Sequence, residues 1–306
     1  MSASGSTRAI LAALAANAGI AVAKFVGFLI THSSSMLAEA VHSVADTSNQ
    51  ALLLLGQRRA QREATELHQF GYGRSRFFYS FVVALVLFSL GAVFALYEGY
   101  QKIVHPHPLT SPMVAIAILV FAIGLESYSF RTAMVESRPL KGSGSWWQFI
   151  RRSRNPELPV VLLEDTGALL GLVFALLGVG LTVLTGNPIW DGVGTALIGA
   201  LLGVIAVILM VEMHSLLIGE SATGEELAAI QSALEGTDHV DRVIHLRTQY
   251  LGPEEMLVGA KIALAPSTDL ATVAAAIDRA EASVRAAVPI ARVIYIEPDL
   301  DRSLAR

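Results

Sequence analysis

Six stretches of this chain are long and apolar enough to cross a lipid bilayer, at residues 9–31, 35–56, 77–99, 112–131, 159–184 and 189–212. In hydrocarbon every backbone N–H and C=O needs an internal partner, so only helices and closed barrels span. A helix crosses with about 20 residues and a barrel strand with about 10. The runs fit helices, and the predicted fold is an α-helical membrane protein with six transmembrane helices over residues 1–213. Charge usage agrees: 16% of the residues are charged, against roughly 25% in soluble domains. A net charge of −4 is too small to indicate a nucleic-acid partner, and the chain is read as binding none. With no cysteine, disulfides, thiolate zinc sites and thiol catalysis are excluded. No A-x-A-like cleavage site comes directly after the first apolar stretch, which reads as a retained span.

Loop charges predict the orientation. The loop after the second span carries Arg58, Arg59, Arg62, Arg74 and Arg76. The segment between the fourth and fifth spans carries Arg131, Arg138, Lys141, Arg151, Arg152 and Arg154. The three opposite loops hold only Lys102. Both termini are therefore expected in the cytoplasm, in a bacterial plasma membrane. Trp146 and Trp147, beside the second arginine group, read as an interfacial anchor.

Residues 214–306 change character and read as a small cytoplasmic α/β domain. A helix over 225–234 precedes two β-rich runs, 240–250 and 256–264, then a helix over 269–287 and a last strand at 292–296. The αββαβ order can close as helices on one face of a three-stranded sheet.

Polar groups inside the spans carry the chemistry. His42 and Asp46 are four apart, so both lie on one helical face. Ionisable groups are expensive in hydrocarbon and point to function by default. Imidazole with carboxylate suits a divalent metal such as zinc; the alternative is a His–Asp hydrogen bond that only holds helices together. The fifth span offers Glu164 and Asp165, which point about 100° apart, so one can ligate while the other caps or hydrogen-bonds. Asn17 and Lys24 share a face of the first span, and Glu39 shares that of His42. Glu98 and Glu126 fall near predicted span ends and are read as interfacial or structural, not as ligands.

With these residues in view, the chain resembles the cation diffusion facilitators. His42-x-x-x-Asp46, Asp165, the HQFGYGR run at 68–74 and the IHLRTQ run at 244–249 match that family's motifs. LLED in the fifth span and the GYGR-x-RFF run are similar to the mitochondrial-type zinc transporter branch. The resemblance implies a homodimer that exports a divalent cation from the cytoplasm in exchange for protons, with a metallochaperone-like, ferredoxin-like tail. It implies a metal site of His42, Asp46 and Asp165, with Glu164, a water or Asn17 replacing a fourth ligand. That ligand, a His or Asp in the family, is Val161 here. Zinc is the expected cargo, since magnesium and calcium prefer all-oxygen sites; manganese, iron and cobalt stay open.

Other departures are visible. Arg76 stands where the family has a glutamate, and the sequence gives no account of it. Tyr72 stands where some members carry a second histidine beside His68. Lys261 and the VIYIEPD run lack histidines of the tail's regulatory zinc pair, which His245 alone retains, so no binuclear cluster is expected there. Arg74 is expected to pair with Glu220, or with Glu212, at the start of the tail. An intramembrane metalloprotease would show H-E-x-x-H, which this chain lacks, so it is read as no enzyme. A membrane metal sensor or scaffold that moves nothing remains the other reading.

Overall fold

In a computed structural model, residues 2–31, 34–109 and 111–300 are described, with the side chains of 2–5, 30–42 and 45 also outside the description. The chain divides into two compact units: Met1–Arg59 with Ser75–His214, and Ala60–Arg74 with Ser215–Arg306.

The first unit is helical: α1 (Ser2–Thr31), α2 (Ser34–Ala60), α3 (Ser75–Val86), α4 (Phe94–Val104), α5 (Pro112–Lys141), α6 (Trp146–Arg152), α7 (Glu157–Thr185) and α8 (Ile189–Ile218). A π-helical stretch, Leu87–Val93, joins α3 to α4, giving one continuous apolar helix over Ser75–Val104. Among the described residues, five helices are long and apolar enough to span: Ser6–Leu29, Ser75–Val104, Pro112–Lys141, Glu157–Thr185 and Ile189–Ile218. The remaining predicted span, the second at 35–56, corresponds to α2, which has the length but interrupts its apolar run with Asp46, Asn49 and Gln50. The short α6 opens on a capping box between Ser145 and Gln148. Lys141 and Arg151 lie over the rings of Trp146 and Trp147.

In lipid, helices gain nothing from burying one apolar face against another, so close backbone approach at small residues drives packing. Here a Cβ on Gly199 would sit 2.7 Å from the Leu96 nitrogen, and one on Gly99 2.6 Å from the Ala196 nitrogen, fixing α4 on α8. Gly178 and Gly194 do the same for α7 and α8. The α5 helix packs against both α1 and α7, which brings residues from the first, fourth and fifth predicted spans together.

In this unit Arg76 is buried and grips Glu157, the first residue of α7, through two nitrogens. The Nη2–Oε2 bond is 2.7 Å. An arginine here is thus explained by a buried carboxylate 81 residues away. Glu212 is held by Arg151 at 3.0 Å.

The second unit follows the predicted αββαβ order: α9 (Gly224–Glu235), β1 (Arg242–Gly252), β2 (Glu255–Ala263), α10 (Leu270–Ala287) and β3 (Ala291–Asp299). The sheet runs β1-β2-β3, with β1 antiparallel and β3 parallel to β2. Val240, Ile262, Leu264 and Ala276 form a core cluster with Val243, Val273 and Ile296 packed on it. Thr223 caps α9 in a box with Glu226, whose carboxylate also accepts from the Tyr250 hydroxyl. Lys261 reaches Glu297 at 2.8 Å and Asp299 at 3.2 Å, and hydrogen bonds to them raise its pKa.

The loop 60–74 belongs to this unit, and Gly73 lies against the Leu251–Gly252 turn. A Cβ on Gly73 would sit 2.7 Å from the Leu251 carbonyl oxygen, so the GYGR run needs glycine there. The predicted Arg74 pairing does not occur: Arg74 is exposed and makes no ion pair among the described residues. It is the next arginine, Arg76, that is drawn inside, because Glu157 offers it a buried carboxylate.

Candidate metal site

The membrane unit contains a partly open cavity of ≈ 230 Å³. On α7 its lining begins at Glu164 and continues only toward the helix C-terminus, to Val179. On α4 and α8 it includes Glu98, Lys102, Asp191 and Thr195. The cavity therefore extends from the level of Asp165 toward the end of the bundle where α4 stops and α8 starts. There Lys102 bridges Asp191 at 3.1 Å and Glu98 at 3.5 Å.

Around the other level, Asn17 and Lys24 come from α1, Ser43 and Asp46 from α2, Glu126 from α5, and Glu164 and Asp165 from α7. Asp46 and Asp165, proposed from sequence as partners, thus line one cavity although 119 positions separate them. The side chain of His42 lies outside the described residues; its backbone is in α2, one turn before Asp46. Among the described residues, no three His, Asp or Glu side chains converge closely enough to hold a metal ion.

The two neighbours on α7 have separate partners. Glu164 accepts from the Asn49 side chain at 3.1 Å through one oxygen and from Gln50 at 2.9 Å through the other. Gln50 in turn accepts from Asn17 at 3.3 Å. These amides tie α1 and α2 to α7 through Glu164, and they occupy both its oxygens. Asn17, a sequence candidate for the fourth ligand, takes part through its amide Nδ2. Asp165, which also lines the cavity, accepts a 2.7 Å bond from Ser129 through Oδ2. Val161 is fully buried and contributes nothing to the cavity wall.

Glu126 is buried within its helix and not at an exposed end, which leaves the structural half of the sequence reading. The apolar window ended at Arg131, which placed Glu126 near a span end. The α5 helix instead runs on to Lys141, so Glu126 is its fifteenth residue of 30. It is 3% exposed, lines the cavity and lies within reach of the charges of Asp46 and Lys24. The missed signal was helix continuation past an isolated arginine. Asn49 and Gln50 were missed because nothing local to either marks Glu164, more than 110 residues away, as its partner.

A bundle of membrane-length helices around a charged cavity, followed by an αββαβ unit, defines an integral, multi-pass membrane protein. The chain belongs to the cation efflux family, the cation diffusion facilitators, which are transporters and not enzymes. The family's transmembrane domain matches residues 10–218 and its cytoplasmic, dimerisation-type domain matches residues 222–299.

Among known relatives, mouse (Mus musculus) "Proton-coupled zinc antiporter SLC30A9, mitochondrial" is 33% identical over 79% of this chain and 43% of its own length. "Metal tolerance protein C4" of Arabidopsis thaliana is 30% identical over 84% of this chain and 57% of its own. "Zinc transporter ZitB" of Pectobacterium atrosepticum is 35% identical over 38% of this chain and 36% of its own. The chain spans less than half the length of the SLC30A9 proteins it matches.

Proposed function

We propose that this protein exports a divalent cation, zinc first among candidates, from the cytoplasm in exchange for protons, as a homodimer. The observation that carries the reading is that Asp46 of α2 and Asp165 of α7 line one intramembrane cavity. His42 supplies the imidazole on the face of Asp46. Glu164 belongs to the site as the residue that positions α2 and α1 on α7. The zinc assignment is supported by the imidazole and by the names of the mouse and Pectobacterium relatives; manganese, iron and cobalt are alternatives.

Zinc binding requires neutral His42 and ionised Asp46 and Asp165, so loading releases protons and protonation releases metal. Moving a dication outward against an inside-negative potential costs about 2.3 kcal/mol per charge per 100 mV, which inward protons offset. The arginine bias supports both termini and residues 214–306 in the cytoplasm, with α2 counted among the six spans of a 1–213 membrane domain. In that orientation the cavity extends toward the extracytoplasmic side. A bacterial plasma membrane is supported by the match to the Pectobacterium protein, whereas the mouse relative's name places that protein in mitochondria. Dimerisation is supported by the match of residues 222–299 to the family's cytoplasmic domain.

The test is uptake by proteoliposomes with an imposed pH gradient and a panel of divalent ions. Gradient-dependent zinc flux supports the reading. A chain that moves no divalent ion at all, correctly inserted, would leave the sensor or scaffold in its place.

A further inference from the structure

The connection between α5 and α7 concentrates positive charge where membrane-length helices end. Residues 131–156 hold Arg131, Arg138, Lys141, Arg151, Arg152 and Arg154 against one acid, Glu136. Such a bias sets orientation, and orientation alone asks for no particular lipid. The structure divides these cations by what they touch. Lys141 donates to the carbonyls of Gly142 and Gly144 and lies over the Trp146 ring, which closes the turn into α6. Arg151 lies over the Trp147 ring and bridges Glu212 of α8 at 3.0 Å. Arg131, Arg138 and Arg152 are exposed and, among the described residues, enter no ion pair.

Apolar groups are interleaved with these three arginines. On α5, Tyr128, Arg131, Val135 and Arg138 fall on one stripe at helical spacing. Tyr128 and Val135 on it are 62% and 50% exposed. On α6, Phe149 and Ile150 are buried and hold the helix down, while Trp147 is 52% exposed, close in sequence to Arg151 and Arg152. Counted from Pro112, about 20 residues carry α5 across the hydrocarbon, as far as Arg131. Residues 132–141 then lie at headgroup depth and beyond. There an arginine stem can pack on apolar chains while its planar guanidinium meets phosphate. Exposed aromatic and branched side chains among unpaired arginines fit a ligand with an anionic head and apolar tails. A soluble polyanion would use the arginines and leave Tyr128, Val135 and Trp147 without a role.

We propose that the α5 stripe and the exposed face of α6 bind anionic phospholipid, with Arg131, Arg138 and Arg152 on the phosphates and Trp147 at the boundary with the acyl chains. In the orientation proposed above, this lipid belongs to the cytoplasmic leaflet. The inference does not depend on where the cation binds.

The experiment is tryptophan quenching of the full-length protein in phosphatidylcholine bilayers, by brominated phosphatidylglycerol and, separately, by brominated phosphatidylcholine. Trp190→Phe removes the tryptophan at the start of α8, so that Trp146 and Trp147 report. Both leaflets have one composition, so the readout is independent of orientation. An arginine near an anionic surface is worth about fivefold in affinity, and the three together predict a preference for phosphatidylglycerol of more than about tenfold. Arg131→Gln, Arg138→Gln and Arg152→Gln combined should bring the two lipids level. The matching Arg131→Lys, Arg138→Lys and Arg152→Lys variant should keep most of the preference, which separates lost charge from lost folding. Inorganic phosphate at constant ionic strength should leave the preference unchanged. A wild type that quenches equally with both lipids would overturn the proposal, since the arginines would then mark only the side of the membrane. So would a glutamine variant that keeps the preference, or competition by inorganic phosphate, which would put a free anion in place of the lipid.

Discussion

Arg76 and Glu157 offer the sharpest quantitative test of the membrane unit. Their side chains are 7% and 1% exposed, and the guanidinium grips the carboxylate with two nitrogens. Such a pair adds little net stability over apolar groups of the same volume. Removing one partner is different, because it strands a charge that water cannot reach, at about 3–5 kcal/mol. Arg76→Met and Glu157→Leu should therefore each destabilise by that amount. The double variant should lie near wild type, or up to about 4 kcal/mol above it, since neither charge remains buried. The coupling between the two substitutions should then be several kcal/mol, far above the few tenths expected of independent sites. Reversible unfolding in mixed micelles, driven by a denaturing detergent, measures all four proteins. Additive effects of the two substitutions would refute the reasoning, because they would mean that the two charges do not share a dry site. A functional corollary follows from the position of the pair. It lies beyond Val161 from the cavity, where α3 and α7 begin. Charge reversal of both residues together should retain more transport than either reversal alone.

On α7, Asp165→Asn should abolish zinc flux, whereas Glu164→Gln should lower thermal stability and retain measurable flux; the opposite pattern in a proteoliposome assay would reverse the two roles. Gly199→Val should fail to assemble a stable membrane unit, because its Cβ alone would meet the Leu96 nitrogen at 2.7 Å; a wild-type melting temperature would contradict the close packing of α4 on α8. Gly73→Ala should loosen the 60–74 loop from the Leu251–Gly252 turn, read as faster amide exchange in both segments, while the β2–β3 ladder keeps its protection. Asp269 caps α10, and hydrogen bonds from the Thr272 side chain and backbone, with Ala271, hold its carboxyl below the ordinary value near 4. A lowered value means the cap's contribution is complete above about pH 4 and fades as pH falls through the folded-state value. Exchange protection of the first turn of α10 should follow that sign, and Asp269→Asn should remove the pH dependence.

The sequence by itself determined whatever depends on segment length, period or local chemistry. The spans could be read because about 20 apolar residues in lipid have only the helix to adopt. The αββαβ order could be read because its elements are short, periodic and bounded by turn residues at Gly252-Pro253 and Pro289. Asp46 and Asp165 could be singled out because a charge inside an apolar run stands out along one dimension. Tertiary structure decided what depends on two distant positions meeting. Asn49 and Glu164 are 115 residues apart, Arg76 and Glu157 81 apart, and nothing local to either member marks its partner. The place of Glu126 was decided the same way: the apolar window ended at Arg131, but packing against α1 and α7 carries the helix through it. A charged residue ends a hydropathy window, but a helix ends only where its backbone bonds are no longer supported, and α5 keeps that support as far as Lys141.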